Sequence, residues 1–266
     1  MFFRVPCNRR VPSGLSATFV AALAICIAGA TLGQPGPASE DDAQLAKSVL
    51  EKADQVRFPS GGFETNVTIT VRGPEKDPES RKYQVLSKGN ENTIVLTTEP
   101  ASERGQILLM KTRDLWLFVP GVSQPIRIPL SQRLVGQVAN GDLARANFTG
   151  DYTPTLLRTE TVNGEKMYVL ELNAVDRGVT YHRVLYWVRQ SNHHPYKAEF
   201  YSVSDRLLKT AHYQNFTRLG GRVRPARLVL QDALRQGEES VLEYSDLKPR
   251  ELPDRIFTKD YLKRLE

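Results

Sequence analysis

The sequence has few cysteines and lacks the short motifs of the common enzyme classes. Its only two cysteines, Cys7 and Cys26, lie near the N-terminus, so the rest of the chain has no disulfide, thiolate nucleophile or cysteine metal site. No HExxH, GxSxG or glycine-rich phosphate motif occurs. His193 and His194 precede Pro195, and this pattern is typical of a polar turn. We therefore predict no catalytic residue, no metal site and no cofactor, with catalysis as a minor alternative.

The N-terminus lacks acidic residues and has the pattern of a secretory signal peptide. Residues 1–16 carry three arginines, and residues 17–30 read ATFVAALAICIAGA. This apolar run is shorter than the roughly 20 residues that span a bilayer as a helix. A basic start, a short apolar core and small residues at the end indicate export, with cleavage after Ala30 or Gly33. We predict that residues 1–33 are removed and that the protein acts in the periplasm.

Three other interpretations of the N-terminus are weaker. The apolar run could be retained as an anchor, or Arg9 and Arg10 could form a twin-arginine signal, although the surrounding CNRRVPSG does not continue like one. Cys26 could carry a lipid, but Ile25 occupies the position where such cleavage needs a small residue. Removing residues 1–33 lowers the basic count from 36 to 33 against 30 acidic residues, so the net charge falls from +6 to +3. That excess is too small to indicate a nucleic-acid partner.

The remaining residues, 34–266, contain no linker or fixed repeat, which favours a single domain. Apolar residues at helical spacing predict a helix over 41–57, and FPSGG ends it. Alternation of period two begins at Phe63, and short strand-like runs then follow, separated by turn signals such as Asn163-Gly164. These runs are 81–87, 93–98, 106–111, 115–119, 125–130, 155–161, 166–173, 179–188, 196–202, 207–216, 223–231 and 238–244.

Two segments, 131–147 and 255–265, look helical. The predicted fold class is therefore mainly β with helices (α+β), in which a long antiparallel sheet curls around a few helices.

The most distinctive stretch is residues 103–152, in which a strand ends in Trp116-Leu117-Phe118-Val119-Pro120 and a Gly-Asp-Leu…Asp-Tyr connection follows. With the leading helix and the Tyr-x-Ala-Glu-Phe-Tyr strand at 196–201, it resembles the outer-membrane lipoprotein-sorting protein family, relatives of the LolA carrier. The resemblance implies an incomplete antiparallel β-barrel, with helices that form a lid over an apolar cavity. It also implies a carrier of lipid or lipoprotein acyl chains, with an inner-membrane transporter as donor and an outer-membrane acceptor.

No short motif defines that function, so the candidate ligand-binding residues come from the apolar faces of the predicted strands. The candidate lid is 131–147, which is polar and is interrupted by Gly136 and Gly141. The alternative for each candidate is ordinary core, and the alternative function is a non-catalytic envelope module that binds a protein partner. The candidate cavity residues are Phe63, Val67, Ile69, Leu117, Ile126, Ile128, Leu170, Leu172 and Trp187.

Overall fold

A computed structural model describes residues 39–74 and 76–262. The predicted signal peptide lies outside these ranges. The first element is helix α1 (Glu40–Arg57), which the sequence predicts within one residue. Its N-terminus is capped by the Ser39 hydroxyl, which accepts a hydrogen bond from the Asp42 amide. Three acidic residues in the first turn stabilise the helix through their interaction with the helix dipole. No helix of the described residues is long and apolar enough to cross a membrane.

Thirteen strands form one antiparallel sheet, and the predicted strand-like runs coincide with its strands. The strands of the first half are β1 (Gly62–Gly73), β2 (Lys76–Lys88), β3 (Asn92–Glu99), β4 (Ile107–Lys111), β5 (Asp114–Phe118) and β6 (Ile126–Ile128). Those of the second half are β9 (Tyr152–Val162), β10 (Glu165–Ala174), β11 (Arg183–Arg189), β12 (Pro195–Tyr201), β13 (Leu207–Leu219), β14 (Arg222–Asp232) and β15 (Glu239–Pro249).

The two halves of the sheet meet at its centre, where β1 pairs with β15. The order runs β6-β5-β4-β3-β2-β1-β15-β14-β13-β12-β11-β10-β9, so β6 and β9 are its two free edges. The sheet is curved and unclosed, as the sequence predicts. The chain that leaves β6 must therefore cross one face of the sheet to begin β9, and we call this crossing segment, residues 129–151, the strap.

The strap corrects one prediction. Instead of a helix over 131–147, it contains a small hairpin of β7 (Arg133–Val135) and β8 (Val138–Ala139), and then a short helix α2 (Asn140–Ala144). The hairpin turns at Gly136, which has a φ of +53°, a conformation that favours glycine. A side chain on Gly136 would also meet the Ser240 hydroxyl at 2.3 Å. Gly136 therefore interrupts the predicted helix and allows the hairpin to pack closely on the sheet.

Apolar residues cover both faces of the sheet. The face that carries α1 and the strap, here the inner face, holds the main core, including Leu50, Ile69 and Leu170. The opposite outer face carries a cluster around Leu109 and Phe118, with a smaller one around Trp187. Leu115 to Val119 is apolar at every position, which predicts a strand covered on both faces. This is confirmed for β5, since Leu115 belongs to the inner core and Phe118 to the outer cluster.

The C-terminal segment is less helical than expected. It contains a 3-10 turn, η1 (Asp254–Ile256), and one short helix, α3 (Lys259–Leu262), and the last predicted residues, 263–265, lie outside the described ranges.

Candidate functional site

Most of the predicted cavity residues lie on the inner face. The fully buried ones are Phe63, Val67, Ile69, Leu170 and Leu172, and the partly buried ones that pack on the same core are Leu117 and Ile128. The remaining two lie elsewhere. Ile126 is 50% exposed on the edge strand β6. Trp187 lies on the outer face, where it packs with Met167 and Val169.

The position of Trp187 follows from the strand register. Trp187 pairs with Val169, whereas its neighbour Tyr186 pairs with Leu170. Val169 and Leu170 are adjacent and both buried, on opposite faces of β10. Side chains alternate along a strand, so Tyr186 is on the inner face and Trp187 cannot be. The role of the inner-face residues in ligand binding stays a prediction.

The inner face is closed by the strap and nearly filled. Three adjoining spaces remain beneath it, with volumes of about 20, 20 and 10 Å³. Phe58 and Tyr244 border the first and third, and Arg57 and Tyr213 border the second and third. Each space holds no more than about one water molecule. None of the three is large enough to hold an acyl chain.

A wider recess of about 240 Å³ opens beside the C-terminal end of α1. It shares Phe58, Gly89, Asn90 and Asn147 with the first inner space, so the two are neighbours. Asn90 and Asn147 hold the strap to the β2–β3 turn there, since the Asn90 side-chain amide donates to the Asn147 carbonyl at 3.0 Å. The recess therefore marks where the strap edge meets the solvent.

Buried polar groups fasten the end of the strap to α1. The Asp54 carboxylate accepts hydrogen bonds from the Phe148 amide at 2.9 Å and from the Thr149 amide and hydroxyl, both at 2.7 Å. Burial raises the pKa of Asp54 above its usual value, although Arg57 and these donors oppose the shift. The Arg57 guanidinium carbon lies 4.5 Å from the centre of the Phe148 ring, a cation–π contact.

A second buried group fastens α2 to β13. The Lys209 ammonium donates to the Asp142 carboxylate at 2.7 Å and to the Gln137 carbonyl at 2.6 Å. Asp142 also accepts hydrogen bonds from the Tyr181 hydroxyl at 2.9 Å and the Ala139 amide at 2.8 Å. Burial lowers the pKa of Lys209, although Asp142 opposes the shift. The pair is thus a desolvated ion pair, which is only weakly stabilising overall but costly to break from one side.

A third group joins the end of the strap to the turn between β4 and β5. Arg145 donates to Asp151 at 2.7 Å and to the Thr112 carbonyl at 2.6 Å, and both charged side chains are buried. The Arg113 guanidinium also donates to the Asp151 carboxylate, at 3.0 Å. The strap is therefore held by ion pairs and hydrogen bonds in addition to apolar packing, and such a cover can open without breaking a covalent bond.

Sequence reasoning missed these polar residues. Asp142 and Asp151 do belong to the Gly-Asp-Leu…Asp-Tyr connection, but the sequence does not show that Lys209 and Arg145 pair with them. The histidines are as predicted, since His193 lies in a turn with a φ of +58° and His194 stacks on Phe216 at 4.4 Å. Within residues 39–74 and 76–262, no group of three or more metal-ligating side chains is arranged to hold a metal ion.

Comparison with solved structures gives a close match to the whole fold. A LolA superfamily protein from Nitrosomonas europaea shares 64% identity with this chain, with a TM-score of 0.79, over 81% of this chain and 98% of its own. A family model, described only as an uncharacterized protein, matches residues 89–264. Comparison with curated proteins gives no match.

Two more distant structures show the same fold. A DUF1329 family protein from Desulfovibrio piger and an outer membrane lipoprotein-sorting protein domain from Vibrio parahaemolyticus each share 21% identity, with TM-scores of 0.72. They match 83% and 84% of this chain and 99% and 100% of their own chains. These structures confirm the predicted architecture, an incomplete antiparallel barrel.

Proposed function

Because the chain belongs to the LolA superfamily, we propose that it is a periplasmic carrier that binds acyl chains of lipids or lipoproteins beneath the strap. One observation carries this proposal. The strap joins the two free edges of an unclosed sheet and covers its apolar inner face, held there by the three polar groups centred on Asp54, Asp142 and Asp151.

A carrier must bind its cargo and then release it. Each methylene group that leaves water contributes about 0.8 kcal/mol, so an apolar inner face suffices for binding. The inner spaces, of about 20, 20 and 10 Å³, are too small for an acyl chain, so the strap would move away first. When the strap opens, the donors and acceptors of these broken contacts can bind water instead. The free energy of opening therefore stays moderate. Binding and release then need no covalent chemistry.

The cargo would pass from an inner-membrane transporter to an outer-membrane acceptor. Residues 1–33 would direct export, so the mature protein should begin near Thr31 or Gln34 and carry no lipid on Cys26. The intact mass of the protein purified from the periplasm tests this proposal. A mass that includes the leader, or an acylated Cys26, would contradict it.

The binding test uses one tryptophan placed on the inner face. The chain has two tryptophans, Trp116 and Trp187, and both lie on the outer face. Phe63 borders the first inner space. In a chain that carries Trp116→Phe and Trp187→Phe, the substitution Phe63→Trp reports contact with a brominated acyl chain, because bromine quenches indole fluorescence at short range.

Saturable quenching in delipidated protein is the result expected of a carrier. Well-folded protein that shows no quenching would contradict inner-face binding and favour the alternative, a non-catalytic module that binds a protein partner.

A further inference from the structure

A separate cavity lies on the outer face, beneath the C-terminal segment of residues 250–262. The segment leaves β15 and crosses the sheet close to β1, where the Arg250 amide donates to the Gly62 carbonyl at 2.9 Å. A side chain on Gly62 would lie 2.3 Å from the Arg250 carbonyl oxygen, so only glycine permits this crossing. Further on, Leu252, Phe257 and Leu262 are buried against the outer cluster.

The segment does not pack flat on the sheet. Between these anchors it leaves a cavity of about 810 Å³, far larger than the spaces on the inner face. The floor is formed by Leu86, Ile94, Leu96 and Ile107, and the roof includes Leu252 and Ile256. Binding sites for small molecules commonly have volumes of about 300–1,000 Å³ and mainly apolar walls. The cavity is therefore of a size and polarity that suit one acyl chain.

Charged side chains of the C-terminal segment lie at the rim of the cavity. Arg250 and Arg255 line it, with Glu251 as the one acidic lining residue. Arg250 already pairs with Glu64, whereas exposed Arg255 and exposed Glu251 make no ion pair among the described residues. The next acidic residue on the segment, Asp254, forms an ion pair with Lys88, whose ammonium nitrogen lies 2.7 Å from its carboxylate. The Arg255 guanidinium at the rim of this apolar cavity can donate hydrogen bonds to the anionic end of a ligand.

We propose that this outer cavity binds a single acyl chain with an anionic headgroup, of the fatty-acid class. The apolar floor holds the chain, and Arg255 contacts the headgroup. Side chains alternate along β3, so Val95 faces the inner core while Ile94 and Leu96 face this cavity. The outer site is thus separated from the inner face by the sheet and does not depend on opening of the strap.

The test uses Trp116, which packs on the outer cluster, with the Lys259 ammonium 4.1 Å from its ring. In the Trp187→Phe chain, Trp116 is the sole tryptophan, and brominated stearate should quench it saturably. Shortening the acyl chain should weaken binding about fourfold per methylene removed. Arg255→Glu should weaken binding about five- to tenfold, since it reverses one partly screened charge.

The matched control is Arg206→Glu, which makes the same change of charge in the exposed β12–β13 turn and should alter affinity less than about twofold. An uncharged brominated amphiphile of equal chain length should bind more weakly than stearate. Equal binding to the Arg255→Glu variant would overturn the proposal, and so would the absence of Trp116 quenching. Binding that appears only after removal of residues 263–266 would mean that the C-terminus of the chain itself fills the cavity, and this result would also overturn the proposal. Binding to the inner face is measured separately, in the Phe63→Trp chain that lacks both natural tryptophans, so failure at one site is distinguishable from failure at the other.

Discussion

The ion pair between Lys209 and Asp142 allows a quantitative test of how the strap is held. Lys209→Met keeps the aliphatic length of the side chain but leaves the Asp142 carboxylate, which is only 12% exposed, with the Ala139 amide and the Tyr181 hydroxyl as its remaining donors. Removing one partner of a buried pair costs about 3–5 kcal/mol. We expect this cost to appear first as opening of the strap, because the strap alone carries Asp142.

Hydrogen exchange measures that opening amide by amide. The informative amides are those of Gln137, which donates to the Ser240 hydroxyl on β15, and Phe148, which donates to the Asp54 carboxylate on α1. At about 1.4 kcal/mol per tenfold, Lys209→Met should speed their exchange by about 10²–10³-fold and leave β1 and β15 much less affected. In the double variant with Asp142→Asn, most of the loss should be recovered, because no unpaired charge remains buried.

The matched control is Lys82→Met, which removes a lysine whose pair with Glu99 is about half exposed on both sides. Such pairs contribute less than about 1 kcal/mol, so exchange should change less than about fivefold. The reasoning would be refuted if Lys209→Met left the strap amides as protected as in the parent chain. Uniform acceleration over the whole sheet would also refute it, since the strap would then not open on its own.

Two further predictions concern stability. Leu115→Asp should unfold the protein, since Leu115 is 1% exposed and an unpaired buried carboxylate costs several kcal/mol of a typical total of roughly 5–15. Leu117 lies on the same face but is only partly buried, so Leu117→Asp should cost less, and equal losses of stability in the two variants would contradict this difference in burial. Burial, and in each case a nearby positive charge, lowers the pKa of His193, His194 and His212 below 6.5. The unfolded chain then binds more protons below pH 6.5, so the melting temperature should fall as the pH drops through that value, and a variant with glutamine at all three positions should lose less.

The sequence predicts the strands well because apolar alternation and turn residues are local signals. It also indicates correctly that β5 is covered on both faces, since Leu115 to Val119 is apolar at every position. Faces are harder to assign where both are buried. On β11, Leu185 and Trp187 form an apolar set, but so do Val184, Tyr186 and Val188, and only the register with β10 shows which set is inside.

The strap could not be predicted in the same way. Its hairpin depends on close packing of Gly136 against Ser240, and its fastening depends on pairs such as Asp142–Lys209, which are 67 residues apart in the sequence. Such contacts arise from the path that joins β6 to β9, and no local pattern encodes them. The outer cavity was missed for a related reason, because it depends on where the segment after Pro249 crosses the sheet.

Binding of an acyl chain to the inner face depends, in this proposal, on movement of the strap, and a reversible crosslink that holds the strap in place shows whether it does. A β-carbon built on Gly141 lies 3.0 Å from that of Thr180, slightly closer than the roughly 3.5–4.5 Å of a disulfide. Gly141→Cys with Thr180→Cys should therefore lock the strap after a small shift. Cys7 and Cys26 are replaced by serine, and Phe63→Trp again serves as the reporter, with the two natural tryptophans changed to phenylalanine.

The oxidised protein should show no saturable quenching of this reporter by a brominated acyl chain, and dithiothreitol should restore the quenching. Equal quenching before and after reduction, with the crosslink verified by intact mass, would contradict the claim.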